Sequence, residues 1–533
     1  MQDVRAPGVD QARQLAEGKY VQTEDLVEAA VAPAIFTEIQ VVDAGDLGFG
    51  LRGADMGDGD VEFLQMAALH IDDLLHAAAQ IVQISPKMHQ HQARAPDIAV
   101  GACRSPGKFA NLDHLHALVI IVPLSFPAIR WREPQAIVAL LFLCGLPWYH
   151  FLGWQRSTAL ALVLLGLSGV GAVMRRQSWV GAVYLWWVVL VLGLAASVRP
   201  VESLRILLWN AFLPSLMFFV LVQHRQRSTV LLQAFLVAIL LLVLMLSRMA
   251  WQGVDLQVGA PPGWRHYPGP GLSSTFLVLA FPVAWGLYRR ARAAARLLPA
   301  LTLLAIPWGV YLTLNRMAWL VLALSAAMLL YATMRTSWRR SRYTVLLILL
   351  VMAVCAGLAW KTTRVRMGET SLGQVYTQDA RHGVWRYWCA RIPSAPWWGH
   401  GYGIRVEQAY YRDLGGIASV PPALLPEEGA IRAHAHNLFI DQLVQVGLIG
   451  TLAWSAMIAS LCWHFLRLAR AGEDLAWAAL AVIMALIVKN MSDDFVEFAV
   501  SLTFWSLLAL LQAGIEGGRM EAKKAASSVA RAG

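Results

Sequence analysis

The sequence predicts an all-α integral membrane protein of about twelve transmembrane helices with one large loop on the outer side. Three observations carry that expectation: long apolar runs, scarce charge, and arginine concentrated on alternate connections. Of 533 residues, 57% are hydrophobic and only 15% charged, more apolar surface than a soluble domain can bury. From residue 136 onward the apolar runs approach the length a helix needs to cross roughly 30 Å of hydrocarbon. They predict spans at 136–153, 157–174, 180–198, 204–222, 229–246, 271–288, 297–314, 317–334, 343–360, 437–463, 474–490 and 496–513.

Orientation follows from the connections. One set holds sixteen arginines, including the pairs Arg175–Arg176, Arg289–Arg290 and Arg339–Arg340. The other set holds Arg156, Arg199, Arg248, Arg265, Arg316 and Lys489. The positive-inside rule therefore predicts that the first set and both termini face the cytoplasm. The stretch 297–334 is interrupted only by Asn315 and Arg316, yet arginine clusters flank both of its ends. Both clusters must face one compartment, so the chain crosses twice and turns at Arg316. A single span would hold that guanidinium mid-bilayer at a cost of about 2.5–3.5 kcal/mol.

Residues 1–115 differ in kind. They are polar, carry the acidic stretch 55–60, and have neither the charged start nor the apolar core of a signal peptide. They read either as a poorly ordered cytoplasmic extension or as sequence that is not native coding sequence. Residues 116–129, with Pro123 and Pro127, read as an interfacial or re-entrant segment opening a block, 116–360, that holds the first nine spans. A periplasmic loop with amphipathic helices at 361–435, three spans within 436–515 and a cytoplasmic tail at 516–533 complete the expected layout.

The net charge of +10 does not indicate nucleic acid, because the arginines orient helices and no basic, aromatic-interleaved soluble module accompanies them. Among the five cysteines only Cys389 falls in the large outer loop, so no disulfide framework is expected. Membrane lipids are the partners that composition alone implies.

Candidate chemistry gathers on the outer face. His436 and Asn437 open a helix there, and a neutral imidazole is the side chain best suited to take a proton near neutral pH. Asn437, Asp441 and Gln445 recur at a spacing of four, which stacks them on one face and predicts a polar stripe directed into the bundle or a wet cavity; interhelical hydrogen bonding is the plainer role. Gly447 and Gly450 read as close helix packing. Arg316, in its two-residue turn, and Arg265, in a stiff Pro/Gly loop, present planar forks suited to a diphosphate, although a lone arginine at a helix end is more commonly an interfacial anchor. In the long loop, Arg381, Trp385 and Arg386 belong to an amphipathic, aromatic segment able to lie on the membrane or stack on sugar rings. The glycines of 399–403 read as a tight turn. His434 and His436 lack a third ligand of the usual kind, so no metal is expected, and Asp493 and Asp494 remain as partners for substrate or arginine.

These features together resemble the O-antigen ligase family within the wider group of O-antigen ligases and polymerases, over roughly 136–515. The resemblance rests on His436-Asn437 followed by Gly447 and Gly450, on Arg265 before a Gly-x-Ser-Ser span, on the Asn-Arg turn at Arg316, and on the run from Asp379 to Gly403. Met317 replaces the small residue usual after the family's arginine, and residues 1–115 have no counterpart. The resemblance implies a GT-C-like glycosyltransferase of the inner membrane, with its active site facing the periplasm. It would move O-antigen from undecaprenyl diphosphate to a hydroxyl of lipid A-core, without metal or other cofactor. His436 would be the general base and Arg265 and Arg316 would bind the diphosphate, with Arg381, Trp385, Arg386, His434, Asn437 and Asp441 as further contacts. An O-antigen polymerase or a protein O-oligosaccharyltransferase of the same superfamily is the alternative. A transporter fits less well, because the spans lack mid-membrane carboxylates or charge pairs.

Overall fold

The computed structural model describes residues 134–148, 152–174, 177, 179–256, 267–291, 293–336, 338–367, 381–403, 406, 434–491 and 498–532. All of them lie in the second of two units into which the chain divides, Asp113–Gly533. The expectations for residues 1–115 and 116–129, and for most of 361–435, fall outside the described residues.

Among the described residues there is no strand, and each of the twelve expected spans is helical. In chain order the helices are α1 (Pro134–Gly145), α2 (Leu152–Met174), α3 (Val180–Gly193) and α4 (Pro200–Leu207), which passes through a π turn (Leu208–Phe212) into α5 (Leu213–Leu221). Then come α6 (Ser228–Trp251), α7 (Gly269–Arg290), α8 (Leu297–Thr313), α9 (Arg316–Thr336) and α10 (Trp338–Met367). The short α11 (Arg381–Cys389) precedes α12 (Leu438–Arg470), α13 (Asp474–Lys489) and α14 (Phe498–Ala532).

Nine helices among the described residues are long and apolar enough to cross a membrane. The remaining expected spans, α1, α3 and α13, have 12, 14 and 16 residues, about 18–24 Å of rise. Local bonding accounts for two of these lengths. Past α3, Val198 donates its amide to the His400 carbonyl (2.9 Å) and leaves the helical path. Helix α13 stops at Asn490, whose carbonyl accepts the Leu438 amide (2.8 Å). In the opposite direction, α14 continues helical through the expected tail to Ala532, with residues 519–530 exposed.

The division of 297–334 into two helices matches the arginine argument. α8 ends on Leu314 in a left-handed conformation (φ 50°), and the Asn315 side chain caps α9 by accepting the Ala318 amide at 3.2 Å. That cap satisfies a backbone donor the helix start leaves open.

Helices α14 and α7 form the centre, with 100% and 89% of their most apolar stretches buried, whereas α10, at 28%, lies on the rim. Close approach at the centre relies on small residues, since a β-carbon at Gly286 of α7 would sit 3.0 Å from Leu475 of α13, the small-residue packing expected between membrane helices. The arginine-rich end is tied by charge: Arg289 pairs with Asp474 (3.2 Å), Arg225 with Glu516 (2.7 Å) and Arg519 with Glu473 (2.7 Å). At the other end, Asn437 and Leu438 bond to Met491 and Asn490. Following the chain between these two sets of contacts puts the starts of α7, α9 and α12 at one end, opposite the arginine-rich end. Exposed Trp251 and Trp360 mark that end as an aromatic belt would.

Candidate functional site around His436 and a broken helix

The site is built from the start of α12. Asn437 is extended (φ −155°, ψ 114°) and is the N-cap of that helix, its side-chain oxygen accepting from the Phe439 and Ile440 amides at 3.0 and 3.2 Å. Its Nδ2 donates to the Met491 carbonyl at 2.8 Å, which fastens the cap to the end of α13. Asn437 is therefore not the first rung of a helical polar stripe as the spacing predicts; a cap must leave the helical path for its oxygen to face the first open amides. Asp441 and Gln445 are on the helix, and both are buried.

Immediately before the cap, His436 adopts a left-handed backbone (φ 52°), which costs a non-glycine residue about 1–2 kcal/mol. Such strain persists only where neighbours over-determine it, and it concentrates at functional positions. The neighbours here are identifiable. Asp441 Oδ1 accepts from the Ala435 amide at 2.8 Å and Oδ2 from the Asn437 amide at 3.3 Å, gripping the residues on both sides of His436. The His436 amide donates to His434 Nδ1 at 3.1 Å, and the two imidazole rings lie 4.0 Å apart. His434 Nδ1 is also 3.5 Å from Asp441 Oδ2. One nitrogen cannot accept from an amide and donate to a carboxylate at once. The shorter contact decides for a neutral His434 with its proton on Nε2, and the ion pair with Asp441 requires protonation.

Beneath this arch, α12 is broken. Gly447 is non-helical (φ 64°, ψ −169°), and the segment 395–403 inserts there. The His400 and Gly401 amides donate to the Val444 and Gln445 carbonyls at 2.8 and 2.9 Å, while the Leu448 and Ile449 amides donate to the Pro396 and Trp397 carbonyls at 2.8 and 3.1 Å. Gln445 Oε1 accepts the Gly403 amide at 2.8 Å. The inserted loop thus satisfies the backbone groups that the break releases. Gly447 was expected only to allow close packing; its role is to bend the chain where the Trp397 carbonyl passes. The turn expected at 399–403 is present, with Gly399, Gly401 and Gly403 all at positive φ. The same loop reaches the α3–α4 connection, where Ser203 Oγ donates to the Tyr402 carbonyl at 3.1 Å.

Helix α11 closes the arrangement from the side. Val384, Tyr387 and Trp388 pack with Ala435 and Val444 in a small apolar cluster separate from the main core. That packing leaves Arg386 exposed and Arg381 and Trp385 half-buried. Arg316 is the first residue of α9 and is exposed at the same end of the bundle. Arg265 lies outside the described residues, as do Asp493 and Asp494; just after Arg265, buried Tyr267 donates its hydroxyl to the Leu256 carbonyl at 2.7 Å. Burial first, and then the Asp255 carboxylate, push the Tyr267 phenol well above its ordinary range, so it remains a neutral donor anchoring one end of that loop. No group of three His, Cys, Asp or Glu able to hold a metal occurs among the described residues.

Burial pushes the His400 imidazole below its ordinary 6.5, partly offset by a hydrogen bond with the Arg391 backbone. A lowered histidine binds fewer protons folded than unfolded, so its stabilising contribution is complete above the ordinary value and declines as pH falls below it toward the folded value. Exchange of the His400 and Gly401 amides is therefore expected to accelerate as pH drops below about 6.5, after correction for intrinsic exchange, while amides of α14 stay protected. Uniform behaviour of the two regions would contradict the docking described.

The fold and this site define a multi-span, all-helical membrane protein whose polar chemistry is held at one end of the bundle. Residues 300–455 match the family model described as O-antigen ligase. The matched stretch includes Arg316, the 395–403 loop, His436 and the break at Gly447; Arg265 precedes it. No curated protein matches the chain. The family match supports a membrane glycosyltransferase of the ligase or polymerase type.

Proposed function

We propose that the protein is an O-antigen ligase of the inner membrane, transferring O-antigen from undecaprenyl diphosphate to a hydroxyl of lipid A-core at the periplasmic face, with both termini cytoplasmic. The observation that carries this reading is His436, held in a strained left-handed conformation at the mouth of a broken helix inside the stretch that matches the family. In the reaction, the acceptor oxygen bonds to the anomeric carbon as the bond from that carbon to the diphosphate oxygen breaks. His436 takes the hydroxyl proton, and the electron pair leaves with the lipid diphosphate. Arg316 and Arg265 bind the leaving diphosphate by paired, charge-assisted hydrogen bonds, a role for positive charge that requires no metal in the step. A single displacement of this kind inverts the anomeric centre. Trp385, Arg381 and Arg386, on the flank of the site, contact the glycan.

The test is reconstitution in proteoliposomes with lipid-linked polymer and one of three acceptors: lipid A-core, a lipid-linked single repeat, or a secretory protein. Transfer to lipid A-core, unaffected by chelator, is expected. Transfer only to the lipid-linked repeat would make it a polymerase, and transfer only to protein an oligosaccharyltransferase; no transfer to any of them would overturn the reading. Arg316→Ala is expected to lower kcat by about 10²–10³-fold, the typical effect of removing one charge-stabilising donor, with Arg316→Lys recovering part of it. An unchanged rate in Arg316→Ala would remove that residue from the mechanism.

A further inference from the structure

We infer that Asp441 is the positioning residue of this site: its buried carboxylate grips the amides of the residues on both sides of His436 and, with the His434 ring, sets the orientation and basicity of that imidazole. The inference rests on the reading of His436 as the base, and it concerns how that base is made.

Asp441 is in the first turn of α12 and is fully buried. Burying a carboxylate is costly unless donors are aimed at it, and the donors here are the amides of Ala435 and Asn437. They flank His436 in sequence. Holding both fixes the peptide that follows His436 and the one that precedes Ala435, which supports the φ of 52° at a residue with a β-carbon. The third support is the His436 amide itself, received by His434 Nδ1. A plain helix-capping role does not need this construction, because the Asn437 side chain already accepts from two amides of the first turn.

The electrostatic consequence has a definite sign. A carboxylate near an imidazole favours the imidazolium and so raises its basicity. Asp441 Oδ2 lies 3.5 Å from His434 Nδ1, and the His434 ring lies 4.0 Å from that of His436, so the carboxylate acts on His436 from behind the His434 ring. The other ionisable groups on elements packed against this start of α12 are Lys489 in the last turn of α13 and Arg381, His382, Arg386, Tyr387 and Cys389 on α11. Arg391 and His400, on the segment that follows α11, add to them; the cations oppose protonation of His436, and since Asp474 of α13 is paired with Arg289 at the opposite end, Asp441 is the carboxylate that favours it at this end among the described residues of these elements.

The test uses the full-length protein in detergent or proteoliposomes and two independent readouts. One is the pH dependence of kcat for glycan transfer. The other is site-resolved carbethoxylation of His436 by diethyl pyrocarbonate as a function of pH, read by mass spectrometry, which reports the imidazole's ionisation without any turnover. In Asp441→Asn, the carbethoxylation midpoint and the acid limb of kcat are both expected to move to lower pH by about one unit, with kcat at the optimum reduced about tenfold and KM changed less than twofold. A midpoint within 0.2 of the parent's, even with lower activity, would reduce Asp441 to a structural cap and overturn the inference. Should Asp441→Asn fail to fold, Asp441→Glu carries the test, since it keeps the charge and displaces it by one methylene: a His436 carbethoxylation midpoint moved by more than about 0.2 is expected, and an unmoved midpoint overturns the inference. The two readings fail separately. Full activity of His436→Ala would remove the base, whereas a shifted midpoint in Asp441→Asn would still uphold the positioning.

Discussion

Replacement of His436 by alanine is expected to lower kcat for glycan transfer by about 10²–10⁴-fold, the range general-base catalysis supplies, while KM for both substrates changes little. The expectation follows from where the proton must go. A sugar hydroxyl is far too weak an acid to lose its proton to water unaided near neutral pH, and attack at the anomeric carbon needs an acceptor within hydrogen-bonding reach of it. His436 is half-buried, at the end of the bundle where Arg316 begins α9. The substitution leaves the cap intact, because Asn437 supplies the capping oxygen and alanine meets the same left-handed backbone that histidine does. Thermal stability in detergent should therefore shift far less than the rate. Transfer within twofold of the parent protein would eliminate His436 as the base.

Gly447→Ala is expected to remove activity by a different route, through the fold. At φ 64° and ψ −169° the backbone occupies a region open essentially to glycine alone, costing any other residue about 1–3 kcal/mol. Space is the second obstacle, since a β-carbon there would overlap the Trp397 carbonyl and the Trp398 amide nitrogen. These are backbone atoms and cannot rotate away. Relief requires expelling the 395–403 segment, and with it the four backbone hydrogen bonds bridging the break, each about 0.5–1.5 kcal/mol. A melting temperature well below the parent's is expected, together with loss of transfer and faster proteolysis within 395–403. Gly181→Ala is the control: it is a helical glycine with open space around its β-carbon position, and alanine there should be neutral or slightly stabilising. Equal stability of the two variants would show that α12 is not broken at Gly447.

Much of the architecture was legible in the chain. Apolar length located helix at each of the twelve expected positions among the described residues, nine of them long enough to cross a membrane, and flanking arginines separated α8 from α9 where apolarity alone would have merged them. The turn at 399–403 was legible too. The reason is that lipid imposes length and charge rules on each segment separately, so these features are written locally.

Four features were not legible: the break in α12, the capping role of Asn437, the left-handed backbone of His436, and the grip of Asp441 on its flanking amides. Residues 438–446 and 448–470 read as one continuous helix because no proline interrupts them; the interruption comes from Trp397 and its neighbours, in a loop earlier in the chain. Likewise the spacing of Asn437, Asp441 and Gln445 suits a helical stripe, and only the bond from Asn437 to Met491 draws the first of them out of the helix. The sequence by itself therefore determined the class of molecule and where its apolar helices lie among the described residues, because hydrophobic length and charge act on one segment at a time. The tertiary structure alone decided how His436 is held, because that depends on backbone groups of distant segments completing one another's hydrogen bonds.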